Sequence, residues 1–203
     1  MSRLRIISGE FGGRLIEAPA GHSMRPMGDR VRSALFNMID VQGLRVLDAY
    51  AGSGAVGLEA LSRGAAKVDF VEKTPKVQKV IEQNIASLDV KDRAKLYKMT
   101  VSKFIETFKC TGSDPVQTRG GSPKTHRVGP GGLGYDVVFV DPPYHLLPKE
   151  FSTALKLKDV VKTNGLMILS YSGRLHVPTV NGVVVVDNRR YGEATLAVFH
   201  ITR

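Results

Sequence analysis

Short apolar runs alternate along this chain with segments in which apolar residues recur at helical spacing. Residues 44–47, 67–71, 135–140 and 165–170 each have the length and composition of a buried strand. After the second of these runs, a helix is predicted with Pro75 in its first turn, a position that proline favours. This alternation predicts a mostly parallel sheet covered by helices on both faces, the arrangement of an α/β protein.

The pattern changes at the two ends of the chain, where antiparallel hairpins are predicted. Residues 4–16 form one hairpin with a Gly-Gly turn, and residues 183–186 pair with residues 195–201 in another. Asp29 is predicted to cap a helix whose apolar face begins at Val31. We therefore expect a small β-hairpin and a helix to precede the α/β sheet.

The composition fits a single domain, or one domain with a small appendage. The chain has 203 residues, of which 42% are hydrophobic, and this is enough for a sizeable core. No stretch is long and apolar enough to cross a bilayer, and the first residues lack the apolar centre of an export signal. The lone Cys110 excludes an internal disulfide, and the histidines show no metal-ligand spacing. We expect a cytoplasmic protein without a metal site.

The net charge of +10 favours a polyanionic partner, because attraction to phosphates is strong and independent of sequence. The alternative is a soluble protein that happens to be basic. The basic residues are scattered and form no dense tail, which suits a folded RNA-binding face better than a disordered arm. They include Arg3, Arg5, Arg14, Arg25, Arg30, Arg32 and Lys67.

Asp141, Pro142, Pro143 and Tyr144 follow directly on the apolar run 135–140. They therefore lie at the carboxyl end of a predicted strand, the edge at which open α/β sheets bind ligands. Proline has a fixed φ and no N–H, so the backbone is stiff here and its carbonyls are free to accept hydrogen bonds. A carboxylate, a fixed carbonyl and a flat ring suit the exocyclic amine of a nucleobase. The alternative is a simple turn that ends the strand.

A glycine-rich turn between a strand and a helix is predicted where the sequence reads Asp48-Ala-Tyr-Ala-Gly-Ser-Gly-Ala-Val-Gly57. Glycines at such a turn let the backbone approach a ligand closely. The next strand ends at Glu72, and an acid at this place can accept hydrogen bonds from ribose hydroxyls. These features together predict a site for a nucleoside-containing cofactor.

The identity of that cofactor depends on how the turn is interpreted. Residues 52–57 fit the GxGxxG pattern of dinucleotide sites, and Glu72 stands at the matching distance, so a nicotinamide-dependent oxidoreductase is one alternative. Asp48 argues against it, because a carboxylate there would repel a pyrophosphate. It suits S-adenosylmethionine, which carries an ammonium and a sulfonium and has no phosphate. Asp48 could also be an ordinary capping or turn residue.

Several sequence blocks together resemble the RsmD-like family of 16S rRNA guanine-N2 methyltransferases, within the class I S-adenosylmethionine-dependent methyltransferases. The blocks are residues 4–9, 25–37, 47–66, 71–72 and 136–144, with Tyr191-Gly192 near the end. The resemblance implies a Rossmann-like fold with a mostly parallel seven-stranded sheet, helices on both faces and a small N-terminal β-hairpin extension. It also implies an extension over residues 1–40 and an S-adenosylmethionine-binding methyltransferase domain over residues 41–203.

The resemblance also implies a role for each site residue. The cofactor-binding residues would be Asp48, Tyr50, Gly52, Gly54, Glu72 and Thr100. The catalytic residues would be Asp141, Pro142 and Tyr144, with Pro143, Arg25 and Arg30 binding the substrate. The chain departs from the family at Met27, Ser33 and the end of the third strand, where only Thr100 and Ser102 offer polar side chains.

The implied substrate is a guanine in 16S rRNA, or in the small ribosomal subunit, and nothing in the sequence requires more than a monomer. A DNA or RNA adenine or cytosine amino-methyltransferase is an alternative, because the DPPY segment serves those enzymes too. An RNA-binding protein without activity is a third interpretation. Residues 111–134 are rich in Gly, Pro, Ser and Thr, and they are either a basic flap beside the site or a tolerated surface insertion.

Overall fold

A seven-stranded sheet forms the centre of the computed structural model. The structure describes residues 2–19, 27–111, 134–143, 147–172 and 181–202. The strands are β1 (Ser2–Arg5), β2 (Leu15–Ala18), β3 (Arg45–Ala49), β4 (Lys67–Val71), β5 (Ala94–Tyr97), β6 (Tyr135–Val140), β7 (Val161–Ser172), β8 (Val183–Tyr191) and β9 (Ala194–Ile201). The helices are α1 (Asp29–Met38), α2 (Ala55–Ser62), α3 (Pro75–Ser87), α4 (Val101–Thr111) and α5 (Leu147–Lys156).

The strand order in the large sheet is β5-β4-β3-β6-β7-β9-β8. Strands β3 to β7 run parallel to one another, and β9 pairs antiparallel with both β7 and β8. Strands β1 and β2 form a separate antiparallel hairpin. The predicted α/β fold, with a mostly parallel seven-stranded sheet and a small N-terminal hairpin, is confirmed.

The central strands of the sheet are buried on both faces. Val46 and Leu47 are neighbours in β3 but belong to different core clusters, because successive side chains of a strand point to opposite faces. The cluster around Val46 includes residues of α1, α2 and α3, whereas the cluster around Leu47 includes residues of α4 and α5. Each of the central strands therefore reads as a continuous apolar run in the sequence.

The N-terminal hairpin packs against the helices of one face. One core cluster contains Ile6, Phe11 and Ile16 together with Val46 and Leu58. Residues before and after position 40 in the sequence therefore share a single core on this face. The proposed division at residues 1–40 and 41–203 stays a prediction. The turn of the hairpin is held at Gly9, whose φ is +84° and whose missing Cβ would lie 1.9 Å from the Ser62 carbonyl oxygen. Only glycine fits at this contact.

Helix α1 differs from its prediction in two respects. Gly28, not Asp29, is the capping residue, and Asp29 instead accepts a hydrogen bond from Arg32 at 2.9 Å. Arg32 was expected on a basic surface but is fully buried, with Nη2 also donating to the Arg5 carbonyl. Burial of a charged residue requires partners that its position in the sequence does not reveal. Among the described residues, no helix combines the length and apolar character that a membrane crossing needs.

Candidate active site

A cleft of about 720 Å³ opens at the carboxyl ends of the parallel strands. Its walls come from the residues that follow β3, β4, β5 and β6, from the start of α1 and from the turn between β8 and β9. The contributing segments are far apart in the sequence and meet because the carboxyl ends of parallel strands share one edge of the sheet. The cleft is large enough for a nucleoside-sized ligand.

The glycine-rich turn after β3 forms the floor of this cleft. Gly54 has a φ of +77° and caps α2, a left-handed conformation that glycine adopts without strain. Tyr50 has a φ of +61°, which is unusual for a residue with a side chain. The next residue stabilises this strained backbone conformation, because Ala51 donates a backbone hydrogen bond of 3.0 Å to the Val71 carbonyl.

Asp48 lies at the end of β3 and is almost completely buried beneath the turn. Its Oδ2 accepts a hydrogen bond of 2.8 Å from the backbone N–H of Gly57, in the first turn of α2. Burial raises the pKa of Asp48 well above its usual value, and the charges of Asp141 and Glu72 raise the pKa further. Because a positive charge beside Asp48 would favour its ionised form, the interior of the cleft suits a cationic ligand better than an anion.

Glu72 follows β4 and is held in a fixed orientation by backbone groups. Its Oε1 accepts from the N–H of Thr74 at 2.8 Å, and its Oε2 accepts from the N–H of Gly52 at 3.2 Å. Its carbonyl accepts from the side chain of Gln78 at 2.8 Å. A carboxylate that is only 7% exposed at the edge of a cleft, with remaining acceptor capacity, can receive hydroxyl donors from a ligand.

Asp141 follows β6 on the opposite side of the glycine-rich turn. Burial raises its pKa to about 6, and a hydrogen bond with Ser170 of β7 partly opposes this shift. A carboxyl group with this pKa can accept hydrogen bonds near neutral pH and can exchange a proton there. Pro142 is buried and Pro143 is half-buried beside it, and both line the cleft.

Asn84 connects the turn to the N-terminal hairpin from below. Its side-chain nitrogen donates to the Ser53 carbonyl at 3.1 Å and to the Glu17 carbonyl at 2.9 Å. Its oxygen accepts from the Glu17 N–H at 2.8 Å. This buried amide therefore holds one backbone carbonyl of the glycine-rich turn and one strand of the hairpin at the same time.

Comparison with known proteins assigns the chain to a family. The model of the family described as Conserved hypothetical protein 95 matches residues 4–116 and 100–200. The chain belongs to this family. Ribosomal RNA small subunit methyltransferase D of Haemophilus influenzae is 32% identical over 81% of the chain and 76% of its own length. YlbH of Bacillus subtilis, provisionally called an rRNA methyltransferase, is 28% identical over 97% of the chain and 98% of its own length.

A solved structure supports the same fold for this member of the Conserved hypothetical protein 95 family. The yhhF protein of Escherichia coli, provisionally described as a methyltransferase, matches with a TM-score of 0.77 at 27% identity. The match covers 99% of this chain and 99% of that one. The agreement over nearly the whole length includes the N-terminal hairpin as well as the large sheet.

Most of the sequence-predicted site residues meet in the cleft. The lining includes Asp48, Tyr50, Gly52, Glu72, Thr100, Asp141, Pro142 and Pro143. Thr100 is exposed, and its Oγ1 accepts from the N–H of Lys103 at 3.2 Å at the start of α4. Gly54 shapes the turn without lining the cleft. The roles of these residues in this family member stay predictions.

One predicted residue, Arg30, lies away from the others in the described structure. Arg30 is exposed on the first turn of α1 and does not line the cleft, although Gly28 and Val31 do. Arg25 and Tyr144 lie outside the described residues.

Sequence reasoning missed several residues that complete the cleft. The apolar residues Val71, Met99 and Val101 line it, but in the sequence they are indistinguishable from core residues. Glu150 of α5 also lines the cleft and accepts a hydrogen bond of 2.9 Å from the Tyr50 hydroxyl. Its only sequence signal is a position shortly after Pro143. No metal-binding cluster of His, Cys, Asp or Glu is found within the described ranges.

Proposed function

We propose that this protein transfers a methyl group from S-adenosylmethionine to the exocyclic amine of a guanine in small-subunit ribosomal RNA. The names of the curated relatives support the reaction class and the RNA. The observation that carries the proposal is the arrangement of three carboxylates, Asp48, Glu72 and Asp141, around one nucleoside-sized cleft.

The donor groups of the cleft fit S-adenosylmethionine better than a dinucleotide. In dinucleotide sites, free backbone N–H groups of the first helix bind the pyrophosphate. Here the N–H of Gly57 is already bonded to Asp48, and the nearby acids Glu72 and Asp141 disfavour an anionic pyrophosphate. A ligand with an ammonium and a sulfonium would instead be attracted. These features disfavour the nicotinamide-dependent oxidoreductase.

The part of the cleft that would hold the cofactor, here called the cofactor half, is lined by Asp48, Glu72, Val71, Met99 and Val101. Each of these residues has a defined task in this proposal. The bound cofactor supplies an electrophilic methyl group on a positively charged sulfur. Glu72 accepts from the ribose hydroxyls, while Thr74 and Gly52 hold its carboxylate in place. Asp48 lines the methionine end, where the positive charge of the ligand would favour its ionised form. Met99, Val71 and Val101 offer an apolar wall for the adenine, and burying that ring against them adds affinity without specificity.

The part of the cleft around Asp141 and Pro142, here called the target half, orients the amine of the target base. The lone pair of a guanine amine is delocalised into the ring, so the amine is a poor nucleophile until its hydrogens are directed to acceptors. Asp141 and the Pro142 carbonyl accept from those hydrogens and turn the lone pair towards the methyl group. Asp141 then takes the released proton, which its pKa of about 6 allows. Tyr144 stacks on the extruded base in this proposal.

The substrate side of the proposal follows from the charge and from the named relatives. A net charge of +10 assists binding to the RNA phosphates, and Arg25 and Arg30 contribute to that binding. The protein acts as a monomer in the cytoplasm, where ribosomal subunits are assembled.

The proposal is tested by following labelled methyl groups from S-adenosylmethionine into small ribosomal subunits that lack the modification. N2-methylguanosine in the nuclease digest is the expected product, and methylated adenine or cytosine would instead support the alternative amino-methyltransferase. Asp141→Asn should abolish transfer and leave the Kd for S-adenosylmethionine within about twofold. Asp136→Asn is the matched control, because Asp136 lies near the start of β6, the strand that Asp141 follows, and bonds Arg45 and Lys162 there. Retained turnover in Asp141→Asn would refute the mechanism.

Calorimetry separates the two cofactor classes before any substrate is needed. Binding of S-adenosylmethionine, or of its demethylated product, without binding of NAD is the expected result. Binding of NAD alone would exclude the proposal.

A further inference from the structure

Glu150 is a carboxylate in the cleft that the proposed mechanism does not use. Its Oε2 accepts the 2.9 Å hydrogen bond from Tyr50, which follows β3, whereas Glu150 itself belongs to α5. Its other oxygen, Oε1, has no hydrogen-bond partner among the described residues. The side chain is half-buried and lines the same cleft as Asp141.

The sheet register places Tyr50, the hydrogen-bond partner of Glu150, next to Asp141. Ala49 of β3 is the register partner of Val140 of β6, so the next residues, Tyr50 and Asp141, leave adjacent strands side by side. Neighbouring strands are about 4.8 Å apart. The Tyr50 backbone thus starts beside Asp141, and the Tyr50 hydroxyl holds Glu150 in the cleft that Asp141 also lines.

The Tyr50 hydroxyl is a permanent donor to Glu150. Burial raises the pKa of Tyr50 above its ordinary value, and the hydrogen bond with Glu150 raises the pKa further. The phenol therefore keeps its proton at any pH at which the protein works. The φ of +61° at Tyr50 is a strained conformation that directs this side chain, and such strain is common where function requires a fixed geometry.

We propose that Glu150 selects guanine as the target base by accepting a hydrogen bond from its ring N1–H. Guanine presents N1–H directly beside its amine, so two adjacent donors face the protein. Adenine and cytosine present a ring nitrogen acceptor beside their amines instead. Asp141 and the Pro142 carbonyl accept from any of the three amines, and Oε1 of Glu150 adds an acceptor that only guanine satisfies. With adenine or cytosine, this carboxylate faces a lone pair.

The inference rests on the proposed function, because it names the specificity of the same site. It also makes Glu150 part of the target half of the cleft. The competing assignment is that Glu150 binds the ammonium of the cofactor, and the two assignments differ in which Kd a substitution changes.

The first test measures recognition of the base alone, without ribosomal substrate. Saturation-transfer NMR compares guanosine monophosphate with 2-aminopurine ribonucleotide, in the presence of S-adenosylhomocysteine. Both carry the 2-amine, but 2-aminopurine lacks N1–H. The native protein should bind guanosine monophosphate about tenfold more tightly, and Glu150→Gln should bind the two nucleotides about equally. Equal binding by the native protein would overturn the assignment, even if its methyltransferase activity is found as proposed.

The second test measures turnover on small ribosomal subunits. Glu150→Gln keeps an acceptor for Tyr50 but directs an amide NH2 at N1–H, so kcat/KM for the subunit should fall about tenfold to a hundredfold. The Kd for S-adenosylmethionine should stay within about twofold. Tyr50→Phe should give a smaller loss, because Glu150 is then present but no longer held. Ser152→Ala, an exposed position of α5 that does not line the cleft, is the matched control.

The outcomes separate the two levels of the proposal. An absence of guanine methylation by the native protein refutes the proposed function, whatever Glu150 does. Guanine methylation that Glu150→Gln leaves unchanged refutes the specificity role alone. A tenfold weaker Kd for S-adenosylmethionine in Glu150→Gln would assign the residue to the cofactor and would also overturn the inference.

Discussion

Replacement of Asn84 by alanine is predicted to weaken cofactor binding from beneath the glycine-rich turn. The side chain makes three hydrogen bonds, two to Glu17 and one to the Ser53 carbonyl, and it is 2% exposed. Each bond contributes about 1 kcal/mol net, and each buried group left without a partner costs about 1–3 kcal/mol. The free energy of unfolding should therefore fall by about 2–4 kcal/mol.

Only part of that loss concerns the cofactor. The single bond to Ser53 holds the turn in shape before the ligand arrives, and its loss should cost binding about 1 kcal/mol, or a fivefold higher Kd. Calorimetric titration with S-adenosylmethionine measures this Kd, and urea denaturation measures the stability of the same sample.

Ser62→Ala is the matched control for this substitution. Ser62 accepts from the Phe11 N–H at 2.9 Å and donates to the Ser8 carbonyl, so it anchors the N-terminal segment without touching the turn. Its alanine variant should lose a comparable amount of stability and keep the native Kd. An unchanged Kd in Asn84→Ala, or an equal rise in both variants, would refute the idea that Asn84 positions the turn.

Two further predictions concern buried charges. Transfer should decline as the pH falls through about 6, because Asp141 is then protonated and loses its acceptor role. In Ser170→Ala the decline should move to higher pH, since the hydrogen bond that lowers the pKa of Asp141 is removed. Initial rates at saturating substrate, measured across this pH range, test the prediction. A pH profile identical to that of the native protein would contradict it. Glu59→Gln should lower the free energy of unfolding by about 3–5 kcal/mol, because the fully buried Arg32 loses its buried counter-charge 3.8 Å away. Urea denaturation measures this loss, and a change below about 1 kcal/mol would argue against a structural role for the pair.

The local chemistry of the strand ends could be predicted well from the sequence. Asp48, Glu72 and Asp141 each follow an apolar run, and the parallel sheet then brings all three to one edge. The glycine-rich turn could also be predicted, because the left-handed conformation at Gly54 favours glycine and this glycine is visible in the sequence. These features depend on neighbours in the chain and on the general geometry of α/β sheets.

Contacts between elements that are distant in the chain could not be predicted from the sequence. Tyr50 and Glu150 are 100 positions apart, and Asn84 meets Glu17 across 67 positions. A glutamate or an asparagine in an amphipathic helix gives no sign of which partner it will meet, since the pairing depends on how helices pack on the sheet. Arg32 illustrates the same limit, because two of its partners, Glu59 and the Arg5 carbonyl, lie outside its own helix.

The sequence by itself therefore determined the fold class, the edge of the sheet that carries the site and the acids at that edge. Hydrophobic periodicity, glycine conformation and strand termination depend on residues that are neighbours in the sequence, so a short segment is enough to predict them. Only the tertiary structure decided which side chains support that edge, namely Asn84 beneath the turn and Glu150 in the cleft wall, bonded to Tyr50. Those contacts require two packed surfaces to meet at hydrogen-bond distance, a condition that no single segment of the chain encodes.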